Sequence, residues 1–339
     1  MNSYTDKVSS SGGGRPMRIG VVGAGMAGLT AARTLSHQGH DVVLVDKARG
    51  AGGRMSTRRN EDLLFDHGAQ YFTARDPRFL RQVLAWQECG LAAVWDARIA
   101  VIGDHDSGKK RQSTQRYVGT PGMSAICGEM ASELADCHFD WAVRKLKRRK
   151  GVWILTSDGG ENLECDVLVV TTPPEQARTL LADPEVDELI GGVEMMPCWA
   201  LMLVLDKPLF AEHDAAFINR GPLSWMSSQP SRPERPAADA WVLHASPQWS
   251  SIHLEKPADE VQDLLLEAAR ELALAQTFTV ESAVAHRWRY ALARQPLNCG
   301  TIWLGPKNLA IAGDWCHGSK VEGAFLSGLE AAGHIMAAH

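Results

Sequence analysis

Gly23, Gly25 and Gly28 lie in the stretch VVGAGMAGLTAARTL, Val21 to Leu35, between an apolar run and an alanine-rich helical pattern. In a strand–turn–helix unit each glycine has its own task. Gly23 makes the tight turn, Gly25 lets the backbone approach a pyrophosphate, and Gly28 lets helix and strand pack closely. The free amides of Met26 and Ala27 at the helix start would face the phosphate charge, helped by the helix dipole. Asp46, at the end of the next β-branched run, is placed to accept ribose hydroxyls. The bland alternative is a plain strand–turn–helix with an incidental acid. As a ligand site, the set suits NAD and FAD equally.

Three later segments separate the two. DKARGAGGRM starts at Asp46 and Lys47 and brings Gly52, Gly53, Arg54 and Met55 straight after the second strand, where a nicotinamide-only fold would continue into its next helix. A glycine pair beside an arginine suits a second contact on the pyrophosphate, with Arg54 compensating its charge. FDHGAQYF, Phe65 to Phe72, is a small-residue loop that can lie against a flat ring, with Ala69, Gln70 and Tyr71 in reach. In GDWCHGSKVEGAFLSG, a buried strand delivers Gly313 and Asp314, and Glu322, Gly323 and Ala324 open the last helix. That helix N-terminus would stabilise an anionic reduced flavin ring. Asp314 would hydrogen-bond a ribityl hydroxyl or a water on the phosphates. The expected cofactor is FAD.

These residues need a scaffold. The patterning predicts a strand over Arg18–Val22, a helix over Met26–Gln38 closed by Gly39, and a strand over Asp41–Val45, which together make one βαβ unit. Trp141–Leu146 and Gly151–Thr156 read as paired strands with SDGGEN as their turn, and Asp166–Val170 as a buried strand stopped by Thr171–Thr172–Pro173–Pro174. Ala258–Ala275 is helical, Leu309–Ala312 a short strand, and Gly323–Ala338 a closing helix. The expected fold is α/β, a Rossmann-type FAD-binding domain with an inserted α+β substrate domain. The FAD-binding domain is discontinuous, over residues 17–75, 119–175 and 296–339. Residues 76–118 and 176–295 form the substrate domain, and residues 1–16 a disordered leader.

Composition narrows the setting. With 339 residues, 45% hydrophobic and 22% charged, the chain reads as an ordinary globular protein. Its net charge is -5, and the one basic run, Arg144–Lys150, reads as a solvated hairpin, so neither nucleic acid nor an anionic membrane is an expected partner. The seven cysteines are dispersed without a C-x-x-C pair, which excludes zinc ribbons and suits reduced thiols in a cytoplasm. No apolar run approaches the roughly 20 residues of a membrane span. No metal site is expected.

GAGMAG, DKARGAGGRM, DHGAQYF, the TPP after a strand and GDW with VEGA together resemble the amine-oxidase-like branch of the glutathione-reductase-type flavoproteins. DHGAQYFTARDPRF, YVGTPGMSAI, WVLHASPQWS, AHRWRYA and GDWCHGSKVEGAFLSG are more similar to the renalases within that branch, particularly the bacterial ones. The resemblance implies a non-covalent FAD oxidase of the 1,2- and 1,6-dihydro isomers of NAD(P). Hydride would pass to flavin N5, oxygen would be reduced to hydrogen peroxide, and NAD(P)+ would leave. By the same resemblance Ala27, Asp46, Lys47, Arg54, Gln70 and Tyr71 contact FAD, Val143 meets the adenine through its backbone, and His244 lines the site above the flavin. Trp288 and Trp315, which sit within these motifs, are the expected walls of the substrate site. Arg287 and Arg289 either engage substrate phosphates or sit in surface pairs. Two other readings stay open: an amine oxidase or desaturase on the same scaffold, and a flavin-binding protein without turnover. A thioether to flavin at Cys316 or Cys299 is a minor alternative, and only Tyr71 and Tyr290 are available for an amine-caging pair.

Overall fold

The structure, a computed structural model, describes residues 15–103, 114–272 and 277–339. The expected leader therefore falls outside the described residues except for Arg15 and Pro16, and the helix expected to reach Ala275 is described as far as Leu272.

Arg18–Val22 has four buried residues of five and sits inside a six-stranded sheet, as a strand covered on both faces must. The order is Ile302–Leu304, Leu309–Ile311, Val167–Val170, Arg18–Val22, Asp41–Val45, Asp136–His138, parallel except for the first pair. The C-terminal strand Leu309–Ile311 thus joins the same sheet as Arg18–Val22, beside Val167–Val170. The glycine helix Met26–His37 and the closing helix Val321–Ala338 pack together: a Cβ on Gly328 would lie 2.2 Å from the Ala27 carbonyl oxygen. On the other face, a three-stranded antiparallel sheet of Val143–Arg149, Val152–Ser157 and Asn162–Cys165 packs Trp153 and Leu155 against Leu168 and Val170. SDGGEN joins the second and third of these strands. Lys150 and Gly151, both at positive φ, make the turn that the sequence reading had given to SDGGEN.

The second layer is another six-stranded sheet, ordered Val280–Ala293, Met195–Leu205, Asp239–Ala245, Leu223–Ser228, Ala215–Ile218, Ile99–Ile102. The helix Ala258–Leu272 covers one face through Val261, Leu265, Ala268 and Ala269. Helices from the expected substrate segments also pack into the cores around the first sheet. Phe79, Val83 and Trp86 of the helix Pro77–Glu88 share the core of the glycine helix, and Ala177, Val186 and Ile190 share the core of Val167–Val170. Among the described residues of 76–118, only Ile99–Ile102 joins the second sheet, whose longest central strand is Met195–Leu205.

Candidate functional site

A cavity of about 1730 Å³ runs from the glycine turn to the face of the second sheet. At its nucleotide end the geometry follows from missing side chains. Gly23 is at φ +113°, and a Cβ there would stand 2.5 Å from Thr171 Oγ1. A Cβ on Gly28 would stand 1.9 Å from the Gly23 carbonyl oxygen, so Gly28 serves packing and does not itself line the cavity. Gly25 has open space where its Cβ would be, on the cavity side. The first helical hydrogen bond runs from Leu29 N to Gly25 O, leaving the earlier amides, including those of Met26 and Ala27, to a ligand. Asp46 accepts from Ala24 N at 2.6 Å and Ala48 N at 2.7 Å, so the acid also pins the turn. Lys47 and Val143 line the same end. Thr172 Oγ1 and Glu175 Oε2, buried beside the cavity, have no protein partner, as polar atoms awaiting a nucleotide would.

In the middle, Arg54 donates to both oxygens of Asp314, at 2.6 and 2.9 Å, and to the Ala291 carbonyl at 3.1 Å. This clamp ties the first dinucleotide segment to the last. It also modifies two expectations, because the Asp314 carboxylate and the Arg54 charge are first of all committed to each other. Gly53, Met55, Gly313 and Ala324 line the cavity around the clamp. Glu322 lines it too, its Oε1 accepting from the amides of Arg75 and Asp76 at 2.6 and 2.7 Å.

At the redox end, Gly68 rides directly on Arg54: a Cβ there would stand 2.1 Å from the Arg54 carbonyl oxygen. Ala69 and Tyr71 follow along the wall. The His67 carbonyl accepts from Trp288 Nε1 at 2.9 Å and from His244 Nε2 at 3.0 Å. A carbonyl only accepts, so the His244 hydrogen sits on Nε2 and Nδ1 keeps a lone pair. The rings of His67, His286 and Trp288 pack mutually with centroids 4.6 to 5.0 Å apart. Burial lowers the His67 pKa to about 3 and that of His244 to about 4, and it lowers His286 as well, so the wall is uncharged near neutrality.

Behind the wall, Arg232 and Arg235 flank the fully buried Asp66, and Arg232 and Ser227 both donate to Gln70 Oε1. Gln70 is thus turned away from the cavity, which corrects its expected contact with FAD. Trp315 is corrected too. It is fully buried, donates to the Thr172 carbonyl at 3.2 Å, and packs behind Gly313 rather than facing the cavity. Gly323 also stands off the cavity, where a Cβ would meet the His317 carbonyl at 3.1 Å. Cys316 is buried, Cys299 is exposed, and neither lines the cavity. Arg287 and Arg289 both pair with Glu255, and Arg289 also lines the cavity. His67 and His286 were missed from the sequence. Their signal was present, since His286 and Trp288 are two apart on one strand and must share a face.

A two-sheet flavoprotein scaffold of this kind has a recognisable affiliation. The chain belongs to the flavin-containing amine oxidoreductase family, whose pattern matches residues 95–336, while residues 21–85 match an NAD(P)-binding Rossmann-like domain. FAD is accordingly the cofactor, and the cradle described above fits it. The fold is similar to that of a chain from Exiguobacterium sp. 255-15 proposed as a protoporphyrinogen oxidase, with TM-score 0.77 and 12% identity over 97% of this chain and 100% of that one. Putrescine oxidase bound to putrescine gives TM-score 0.69 and 13% identity over 95% and 99%. Among curated sequences, an L-amino acid oxidase of Cerastes cerastes is 50% identical over 46 residues, 14% of this chain and 9% of that protein. A 4,4'-diapophytoene desaturase of Staphylococcus aureus is 42% identical over 52 residues, 15% and 10% respectively. This chain thus spans about a tenth of the curated relatives it matches. Among the described residues no helix is long and apolar enough to cross a membrane, and no cluster of metal-ligating side chains occurs.

Proposed function

We propose that the chain oxidises isomeric dihydronicotinamide dinucleotides, the 1,2- and 1,6-dihydro forms of NAD(P), to NAD(P)+, with oxygen reduced to hydrogen peroxide. The observation that carries this reading is the uncharged wall of His67, His244, His286 and Trp288. It suits a flat neutral ring. Bound FAD supplies the two-electron acceptor and the onward path to oxygen. Loss of hydride restores pyridinium aromaticity, so the protein need not abstract a proton. A histidine with its pKa near 4 is a weak base but a sound hydrogen-bond acceptor, so His244 Nδ1 takes the carboxamide N–H and orients the ring. Trp288, held by its bond to the His67 carbonyl, limits the ring's tilt. The lining carboxylates are committed elsewhere: Asp46 to backbone amides, Asp314 to Arg54, Glu322 to the amides of Arg75 and Asp76, and Glu175 Oε1 to the amide of Met195. Among the described residues none of these is free at the histidine wall to hold a substrate ammonium. The free thiols among the described residues fit a reducing, cytoplasmic setting.

The family match favours a second reading, oxidation of an amine. Anaerobic mixing decides between them. The purified yellow protein is expected to bleach rapidly with 1,2- or 1,6-dihydroNAD and not with a panel of amines and diamines. Bleaching by an amine alone overturns the first reading, and no bleaching by any donor leaves a flavin-binding protein without turnover.

A further inference from the structure

Among the residues that line the cavity are cations that the chemistry above does not use. The half-buried Arg116 holds its guanidinium 5.2 Å above the Tyr71 ring, which itself packs against Trp225 at 5.6 Å. Arg75 is anchored from below, its amide and that of Asp76 bound to Glu322 at the start of the closing helix. Lys320 is the residue before that helix begins. All three line the cavity. Among the described residues none of the three forms a salt bridge, whereas the neighbouring Asp76 is committed to Arg78 and the deeper Arg54 to Asp314. Arg116 lies against Tyr71, and Ile99 and Phe217 of the second sheet line the same cavity.

We propose that Arg75, Arg116 and Lys320 form an anion subsite that receives the diphosphate of the incoming dinucleotide, separate from the amide cradle that holds the cofactor's own diphosphate. This rests on the dihydronicotinamide reading and gives it a specificity device. The ring faces the uncharged wall while the phosphates remain at the mouth, where cations both steer and retain an anion. Arg116 is the more selective of the pair of arginines, because stacking on Tyr71 fixes the plane of its guanidinium. An uncharged donor carrying the same ring would react at the wall without using the mouth.

The test compares 1,2-dihydroNAD with 1-methyl-1,2-dihydronicotinamide, which has the ring and no phosphate. Anaerobic flavin reduction is followed at low and at moderate salt, and NAD+ binding to the oxidised holoenzyme is titrated calorimetrically. Wild type is expected to prefer the dinucleotide by about tenfold or more in kcat/KM, with the preference shrinking as salt rises. R75Q and R116Q are expected to lower the ratio of dinucleotide to uncharged donor by about five- to tenfold each and to weaken NAD+ by a similar factor. An unchanged ratio and an unchanged NAD+ affinity overturn the subsite. So does an equal loss with both donors, which would mean that Arg116 merely supports Tyr71. The salt comparison on wild type needs no variant: a dinucleotide rate as insensitive to salt as that of the uncharged donor overturns the proposal alone. If neither donor bleaches the flavin, the dihydronicotinamide reading fails and the subsite falls with it.

Discussion

At one end of the cavity the groups that meet the ligand are backbone amides and absent side chains; at the other they are side chains brought together by two sheets. Gly23, Gly25 and Gly28 work through space and dihedral freedom within a single turn. His67, His244 and Trp288 come from a loop and two strands far apart in the chain, and they meet at one carbonyl, that of His67. The first kind of site tolerates almost no added volume. The second tolerates substitution of its parts but depends on which groups are buried, because burial is what keeps the imidazoles neutral. The Arg54–Asp314 pair lies between the two ends.

The sharpest break of this contrast is steric. Gly28→Ala places a methyl group 1.9 Å from a backbone oxygen, which nothing but movement of the turn relieves. The expected result is protein largely without flavin and destabilised by about 3 kcal/mol, at the upper end of overpacking costs. Gly25→Ala adds the same methyl to open space at φ -85°, so the apoprotein should melt within a few degrees of wild type while FAD affinity drops at least tenfold. Flavin absorbance per protein and melting temperature separate the two; equal behaviour of both variants would remove the distinction between packing and ligand approach. At the redox end, His244→Ala should keep its flavin and lose about tenfold in kcat/KM for the dihydronicotinamide, the worth of one hydrogen bond. Trp315→Phe, behind the cavity, should change stability and leave that ratio between substrates alone. A His244→Ala enzyme with wild-type kinetics would take the acceptor role away from Nδ1.

The nucleotide end was legible in the sequence because its physics is local. Strand, turn, helix and acid lie within one βαβ unit, and the strands Arg18–Val22 and Asp41–Val45 appear at their expected bounds. The redox end was legible only in part. His244 and Trp288 stood out by motif, but the partner that organises them, the His67 carbonyl, is a backbone atom that no side-chain pattern marks. Gln70 and Trp315 each follow a cavity-lining residue by one position, yet their side chains are held by bonds behind the cavity, Gln70 to Ser227 and Arg232 and Trp315 to the Thr172 carbonyl, which no sequence pattern marks. Pro77–Glu88 and Pro174–Leu181 are amphipathic helices, and their apolar faces do not announce in the sequence which core they will join.

The pH dependence of stability tests burial directly. His244 titrates near 4 and His67 near 3 in the folded chain, both lowered from about 6.5 chiefly by desolvation, with Arg232 adding to the effect at His244 and His286 at His67. Below pH 6.5 the unfolded chain takes up these protons and the native chain does not, so protonation favours unfolding. The stability is complete above pH 6.5 and declines as pH falls towards 4, by up to about 1.4 kcal/mol per pH unit for each imidazole. The carboxylates with lowered pKa, such as Asp76, Asp183 and Asp214, act in the same direction but only nearer their own range, well below pH 5. Denaturant midpoints of the holoprotein between pH 7.5 and 5 should therefore fall, and His244→Gln, which cannot take the proton, should flatten the slope. A midpoint that is level across that interval, or a His244→Gln slope equal to wild type, would mean that the imidazoles at the redox end are solvated, and the uncharged wall that distinguishes this end from the glycine turn would no longer stand.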